Sequence, residues 1–311
     1  MGFWKTKENN VRAVWKLLCV LLSFFLFAFG SIILFNTVIS FAYAFFNALS
    51  GADVDPQSIA EMVINNHLLN TFGFILQNFS MIFAVILFWK LFEKKPVKDL
   101  GLTSLKIHGK DLFYGLLFGA GSMALVFFVL LFTKQINVVN DFSKPNFSWV
   151  LLIDLFLMIM VGISEELFSR GYCMSILKKS HILIMFLVPN IIFALLHSFN
   201  SNIGILPLIN LFLVGLLFSV MFYLRGNIWM PIGYHITWNY FQGSVFGLPV
   251  SGMDSNGLYT SNLVSDNIFN GGAFGPEGGL LVTILILASI ALVFFLNKKK
   301  TPIDYTTIEI K

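Results

Sequence analysis

Eight long apolar stretches run through the chain and constrain its fold more than any other feature. Each is long enough to cross a bilayer, because about 20 apolar residues span the hydrocarbon core. The chain is 57% hydrophobic and 12% charged, and its mean hydropathy is +0.82, which excludes a soluble domain of this size. We therefore predict an all-α, polytopic membrane helix bundle with about eight transmembrane helices. The stretches lie near residues 14–47, 69–92, 111–133, 148–177, 182–199, 204–224, 227–246 and 279–297.

The charges between these stretches alternate along the chain. Segments 48–68 and 243–278 carry acids but no lysine or arginine, whereas the segments before the first stretch, after the second and after the last are basic. Cytoplasmic loops are rich in lysine and arginine, so we predict that both termini are cytoplasmic. The formal net charge of +4 is too small to indicate nucleic acid as a partner. The basic residues are Lys5, Lys7, Arg12, Lys16, Lys94, Lys95, Lys98, Lys106, Lys110, Lys298, Lys299 and Lys300.

Three regions are expected from this pattern. Residues 1–110 would contain the N-terminal transmembrane helices and a basic cytoplasmic loop, and residues 111–246 a core of helices. Residues 247–311 would contain an extracytoplasmic glycine-rich loop, a last transmembrane helix and a cytoplasmic tail. The two cysteines, Cys19 and Cys173, share no metal-ligand spacing and predict neither a structural disulfide nor a thiol enzyme.

Three charged residues, Glu165, Glu166 and Arg170, stand within the fourth apolar stretch. Glu166 and Arg170 are four residues apart, which places them on one helix face with the acid on the favourable N-terminal side. Successive residues of a helix point about 100° apart, so Glu165 faces elsewhere. Ionisable groups inside a membrane are costly and usually functional, and we therefore expect a functional role for Glu165 and a supporting ion pair for Glu166 and Arg170.

Four further polar residues of interest lie in the apolar stretches. His197 follows Phe193 by one helical turn, and His235 and Asn239 share a face four residues apart. Asp154 lies eleven residues before Glu165, on nearly the same face. We expect Asp154 to line the outer mouth of a cavity, the alternative being an aspartate at the membrane interface, and we count Phe193 as a further candidate for the lining of that cavity.

A glutamate, two histidines and an asparagine facing one cavity can hydrolyse an amide in two ways. Glu165, His197 and His235 are ligand types of a catalytic zinc ion with an open position, with Glu166 left as base. Without a metal, a glutamate can activate water while histidine or asparagine stabilises an oxyanion. The second mechanism is favoured because Arg170 needs Glu166 as its partner. No organic cofactor is expected, and the sequence lacks both HExxH and G-x-S-x-G.

The three motifs together resemble the CPBP family of intramembrane proteases. Its hallmarks are EExxxR, FxxxH and HxxxN/D on successive helices, and this chain carries them in that order as residues 165–170, 193–197 and 235–239. The family contains type II CAAX prenyl endopeptidases and bacteriocin-processing or immunity proteins, also called Abi proteases. The resemblance covers roughly residues 110–246.

The resemblance implies an intramembrane endopeptidase. By motif position, Glu165 would activate water with His197, and His235 and Asn239 would stabilise the oxyanion. Glu166 and Arg170 would support that geometry. We expect a peptide or membrane-protein substrate, contact with the lipid bilayer, and a bacterial plasma membrane as the location. Two other functions stay open: a non-catalytic membrane scaffold or bacteriocin self-immunity protein, and a proton-coupled transporter, for which no inverted repeat is found.

Overall fold

The computed structural model describes residues 4–5, 10–51, 55–255 and 257–297. Within these ranges the chain forms ten α-helices and one two-stranded sheet, which confirms the all-α class. Both termini lie outside the described residues. So do Lys7, Asp53 and residues 298–300, whose charges support the predicted topology. The chain divides into two compact units, Met1–Lys95 and Pro96–Lys311.

The first unit contains three helices. They are α1 (Ala13–Leu49), α2 (Pro56–Asn65) and α3 (His67–Phe88), and a π-helical turn over Trp89–Glu93 continues α3. The Asp55 carboxylate starts α2 by accepting the Ser58 backbone N–H at 2.8 Å, and Pro56 occupies the first helical position, where its missing N–H costs nothing. α1 packs along α3, and buried Lys16 forms an ion pair with Glu93.

The second unit contains the other seven helices and both strands of the described chain. β1 and β2 pair antiparallel, with Ile136 opposite Leu263. π-helical turns extend α5 and α9 over Leu167–Met174 and Phe241–Val245. The elements are α4 (Leu105–Phe132), β1 (Ile136–Val138), α5 (Val150–Glu166), α6 (Ser175–Leu177), α7 (Ile182–Leu196), α8 (Ile205–Arg225), α9 (Trp229–Tyr240), β2 (Ser261–Leu263) and α10 (Leu280–Asn297).

Glycine brings α4 and α9 into backbone contact at the centre of the second unit. A Cβ atom at Gly115 would lie 2.2 Å from the Met230 carbonyl oxygen, and one at Gly119 would lie 2.2 Å from that of Tyr234. Small residues spaced by four allow membrane helices to approach this closely. α9 also packs against α5, while α8 packs against both α7 and α10. This arrangement brings the second half of α5 and the middle of α9 together.

Helix length and hydropathy identify fewer candidate membrane spans among the described residues than the eight apolar stretches of the sequence. Five helical segments among the described residues are long and apolar enough to cross a membrane: Ala13–Leu49, His67–Glu93, Val97–Phe132, Ile182–Phe199 and Ile205–Arg225. The predicted spans at 148–177 and 227–246 are helical but change to π-helical geometry partway, and Leu280–Phe295 is a shorter apolar helix. The polytopic bundle is confirmed, and the count of eight stays a prediction.

The segment expected to be a glycine-rich loop after residue 246 is folded. Part of it forms β2, and further along 3-10 turns cover Gly272–Phe274 and Pro276–Gly278. Gly271 and Gly275 have φ values of +84° and +107°, which glycine adopts without strain. Helix α2 likewise forms within the segment expected to connect the first two spans.

Candidate active site

Helices α5, α7 and α9 each bring ionisable side chains to one polar cluster, which comprises Glu165, Glu166, Arg170, His197 and His235. The two glutamates end α5, and Arg170 lies on the π-helical turn that follows, all of whose residues are buried. His197 comes directly after α7, and His235 lies in the middle of α9. π-helical turns inside helices occur frequently at functional sites, and this one carries the arginine into the protein interior.

Glu166 and Arg170 form the ion pair that their spacing predicts. Arg170 Nη1 donates to Glu166 Oε1 at 2.9 Å, and both side chains are fully buried. The rings of Phe193 and Phe218 lie 5.0 and 5.3 Å from the guanidinium carbon, so aromatic faces flank the cation. A buried ion pair needs such additional partners to offset the desolvation of two charges.

Three groups that the sequence analysis did not single out complete the surroundings of the arginine. Arg170 Nη2 donates to Asn190 Oδ1 at 3.2 Å and to the Gly215 carbonyl at 2.8 Å. The Asn190 amide in turn donates to Ser219 Oγ at 3.0 Å, and both of these side chains are fully buried. The sequence could have indicated Asn190 as a site residue, because it lies seven residues before His197 and therefore on the same face of an otherwise apolar helix.

The two histidines are oriented by hydrogen bonds at Nδ1. His197 Nδ1 lies 2.8 Å from the Phe193 carbonyl oxygen, and His235 Nδ1 lies 3.0 Å from Glu166 Oε1. Both partners are acceptors, so the Nδ1 atoms carry the protons in the neutral imidazoles. The Nε2 atoms are then acceptors. This assignment follows from the hydrogen-bond partners, as tautomers are inferred from the network.

Both Nε2 atoms face the same carboxylate oxygen. Glu165 Oε2 lies 3.8 Å from Nε2 of His197 and 3.8 Å from Nε2 of His235. It is buried and has no hydrogen-bond partner among the described residues. A water molecule bound between these three acceptors could donate hydrogen bonds to two of them at about 2.8 Å.

The exposure of these side chains separates two roles. Glu165 is 28% exposed, His197 15% and His235 9%, whereas Glu166 and Arg170 are fully buried. A substrate can reach the first three side chains but not the last two. Glu166 and Arg170 therefore contact only other residues of the protein, and His235 connects the two groups.

The acceptor set was also tested against a metal ion. One carboxylate and two imidazoles are ligand types of zinc. Among the residues that the structure describes, however, no group of three or more His, Cys, Asp or Glu side chains is arranged to hold a metal ion. Glu166, the base that a zinc mechanism would need, is paired with Arg170, so the mechanism proposed below uses only the side chains of the protein.

The remaining residues expected at the site occupy different positions. Phe193 is buried, and its ring lies 4.8 Å from that of His197. Asn239 is half-buried, one turn after His235, and its side chain has no hydrogen-bond partner in the described part of the chain. Asp154 is buried on α5 and lies close enough to Tyr240 for an electrostatic interaction. The structure thus brings Glu165 and the two histidines together, and Asn239 and Asp154 lie on the same two helices.

A further acid, which the sequence analysis gave no role, lies beside this site. Glu277 belongs to the 3-10 turn before α10, and Ser251 Oγ donates to its Oε1 at 2.5 Å. Burial raises the pKa of the Glu277 carboxyl, while the Ser251 hydroxyl, the His197 imidazole and the Trp238 indole lower it to a smaller extent. No local signal pointed to Glu277, because it lies 80 residues after His197 and outside the three motifs.

Gly215→Ala tests the network around Arg170. A Cβ atom there would lie 2.7 Å from Asn190 Oδ1 and 3.2 Å from Arg170 Nη2, in a fully buried region. We expect a loss of about 1–3 kcal/mol of stability, as is usual for overpacking, seen as a lower Tm in detergent. The matched control is Gly121→Ala, where nothing lies within 4 Å and the helix should gain up to about 1 kcal/mol. An unchanged Tm in Gly215→Ala would contradict the network.

The comparison with protein families matches the part of the chain that carries the motifs. Residues 147–241 match the family model described as type II CAAX prenyl endopeptidase Rce1-like. No curated protein and no solved structure matches the chain. The match includes all three motifs and all residues of the polar cluster. It confirms the resemblance seen in the sequence: residues 147–241 are an Rce1-like segment, and the chain is an integral membrane protein consistent with the CPBP family of intramembrane proteases.

Proposed function

We propose that this protein is an intramembrane endopeptidase that hydrolyses a peptide bond of a membrane-associated or lipidated substrate. The observation that carries this proposal is the convergence of Glu165 Oε2 and both histidine Nε2 atoms at 3.8 Å. The Rce1-like segment supports a protease of the CAAX type. The substrate follows from membrane location, because a site within apolar helices is reached most readily by a segment that is itself in or on the bilayer.

In this mechanism Glu165 Oε2 and His197 Nε2 accept hydrogen bonds from the attacking water. Glu165 takes a proton from that water as it attacks the carbonyl carbon, since a glutamate with an open lone pair is a suitable general base. His197, held through Nδ1 by the Phe193 carbonyl, keeps its Nε2 directed at the same water. The proton is then delivered to the leaving nitrogen, and the peptide C–N bond breaks. No covalent bond forms between the enzyme and the substrate.

Two groups are available for the developing oxyanion. The Asn239 amide is a hydrogen-bond donor, and a protonated His235 would be a second one. Glu166 favours that protonated form, because its Oε1 lies 3.0 Å from His235 Nδ1. Arg170, in turn, donates to the same oxygen and holds the Glu166 carboxylate in place. The ion pair therefore supports catalysis through His235.

The proposal predicts peptide hydrolysis that needs no metal and no nucleophilic side chain. The purified protein in proteoliposomes should cleave members of a defined mixture of synthetic membrane-anchored peptides, as read by mass spectrometry. Activity should persist in a strong chelator and in Cys19→Ser with Cys173→Ser, and serine-directed traps should have no effect. Cleavage absent from wild type, with the protein shown to be folded, would favour a scaffold or a transporter.

The same preparation distinguishes the metal-dependent mechanism. A zinc ion held by Glu165, His197 and His235 would lower the pKa of its bound water, so that a chelator would abolish activity and Zn²⁺ would restore it. Stoichiometric zinc in the purified protein, lost in His197→Ala, would replace the metal-free mechanism. Labelling of Ser164 or Ser169 by a serine-directed trap would overturn both.

A further inference from the structure

The segment after α9 is attached to the turn that carries His197. The backbone N–H of Asn200 donates to the His197 carbonyl at 3.0 Å, and the Asn200 amide donates to the Ser251 carbonyl at 3.1 Å. Ser251 Oγ then donates to Glu277 Oε1. Three hydrogen bonds therefore lead from the backbone of a site residue to the carboxylate of Glu277.

Apolar packing holds the same segment in place. Phe274, three residues before Glu277, is buried in a cluster with Phe193, Ala194 and Leu211. Phe193 is the phenylalanine of the FxxxH motif, and its ring contacts that of His197. The segment is thus packed against the helix turn that precedes the catalytic histidine.

The position of Glu277 itself is fixed at its backbone. The Asn210 amide donates to the Glu277 carbonyl at 2.8 Å and to the Gly279 carbonyl at 3.0 Å, and Thr283 Oγ1 donates to Asn210 Oδ1 at 2.7 Å. Ser251 has a φ of +50°, a left-handed conformation that is uncommon for serine and turns its hydroxyl towards the carboxylate. A backbone held this closely gives the side chain a defined direction.

In the part of the chain that the structure describes, Glu277 is not paired with a permanently charged cation. Among the described residues, neither lysine nor arginine forms an ion pair with it, and the sequence from 243 to 278 contains neither residue. It is half-buried, and it lies close enough to His197 for an electrostatic interaction. A half-buried carboxylate in this position is stabilised most by a positive charge brought from outside.

We infer that Glu277 is a specificity-determining residue, which binds a positively charged or hydrogen-bond-donating group of the peptide substrate beside the scissile bond. The inference rests on the proposed endopeptidase function. Substrates with lysine, arginine or a free amino group at this position gain an ion pair, and substrates with an acid there meet repulsion from Glu277 and Glu165. The C-terminal segment, which lies outside the Rce1-like match, would thus adapt a shared site to substrates of one charge class.

Charge exchange between enzyme and substrate tests this role. The probes are one peptide that wild type cleaves in the synthetic mixture and its variants with lysine, glutamine or glutamate at each position flanking the cleaved bond. At one position wild type should cleave the lysine peptide about tenfold faster than the glutamate peptide in kcat/KM, a factor that corresponds to about 1.4 kcal/mol. Glu277→Gln should reduce this ratio to about twofold, and Glu277→Lys should reverse it.

Controls separate recognition from structure. Glu277→Gln keeps an oxygen that accepts from Ser251, so its Tm should match wild type. Asp266→Asn changes an exposed acid of the same segment and should leave the ratio unchanged. An unchanged lysine-to-glutamate ratio in Glu277→Gln, or an equal loss with all three peptides, would overturn the inference while cleavage that depends on Glu165 upholds the proposed function. No cleavage by folded wild type would reject both.

Discussion

Glu165→Gln should lower kcat/KM for peptide cleavage by about 10²–10⁴, the range that a general base contributes. Glutamine keeps the size of the side chain and removes the proton acceptor. The substitution should cost little stability, because Glu165 Oε2 has no hydrogen-bond partner among the described residues. Cleavage assays in proteoliposomes measure the first effect, and Tm in detergent measures the second.

Two variants make this result specific. His197→Ala should also reduce kcat/KM, since it removes the second acceptor that faces the attacking water. Glu61→Gln is the matched control, because Glu61 lies exposed on α2 and its only described partner is Gln57. A Glu165→Gln enzyme that retained activity would show that another group is the base. An equal loss of Tm and activity would show that Glu165 is structural.

The parts of the site that could be predicted from the sequence are those encoded by local spacing. Residues four apart on a helix share a face, so the Glu166–Arg170 pair follows from spacing alone. Polar residues within apolar stretches can also be recognised from the sequence, and this identified His197 and His235. The convergence of their Nε2 atoms on Glu165 required the packing of three helices, which local periodicity does not encode.

The groups that sequence analysis missed are those whose role depends on distant partners. Asn190 and Ser219 acquire their role from a hydrogen bond between α7 and α8. Glu277 reaches the site through Ser251, which is 26 residues away along the chain. In each case the residue type carries no signal by itself, because asparagine, serine and glutamate are common in loops and helix ends.

The fold also has features that local sequence patterns do not predict. Long apolar stretches predicted helices correctly, since a backbone in lipid must satisfy its hydrogen bonds within itself. The strands β1 and β2 have three residues each and join segments more than a hundred residues apart, so no alternation of apolar and polar residues could reveal them. The change of α5 and α9 to π-helical geometry over Leu167–Met174 and Phe241–Val245 was likewise not predicted.

Arg170→Met should destabilise the protein by about 3–5 kcal/mol, the usual cost of removing one partner of a buried ion pair. Methionine fills much of the volume but removes the donor that Arg170 supplies to Glu166, to Asn190 Oδ1 and to the Gly215 carbonyl in a fully buried region. Folded yield and Tm should both fall. Activity should fall as well, because the Glu166 carboxylate would no longer be held in place beside His235.

Two further variants separate charge from geometry at Arg170. Arg170→Lys keeps the charge but cannot donate to three acceptors from a planar fork, so its stability should lie between wild type and Arg170→Met. Combining Arg170→Met with Glu166→Gln removes both charges and should recover part of the lost stability, because an uncompensated buried carboxylate costs more than a missing ion pair. Activity should stay low in the double variant, since His235 Nδ1 then faces a neutral amide. A double variant less stable than Arg170→Met would mean that the stranded carboxylate is not the source of the cost, and a fully active one would remove Glu166 and Arg170 from the catalytic mechanism.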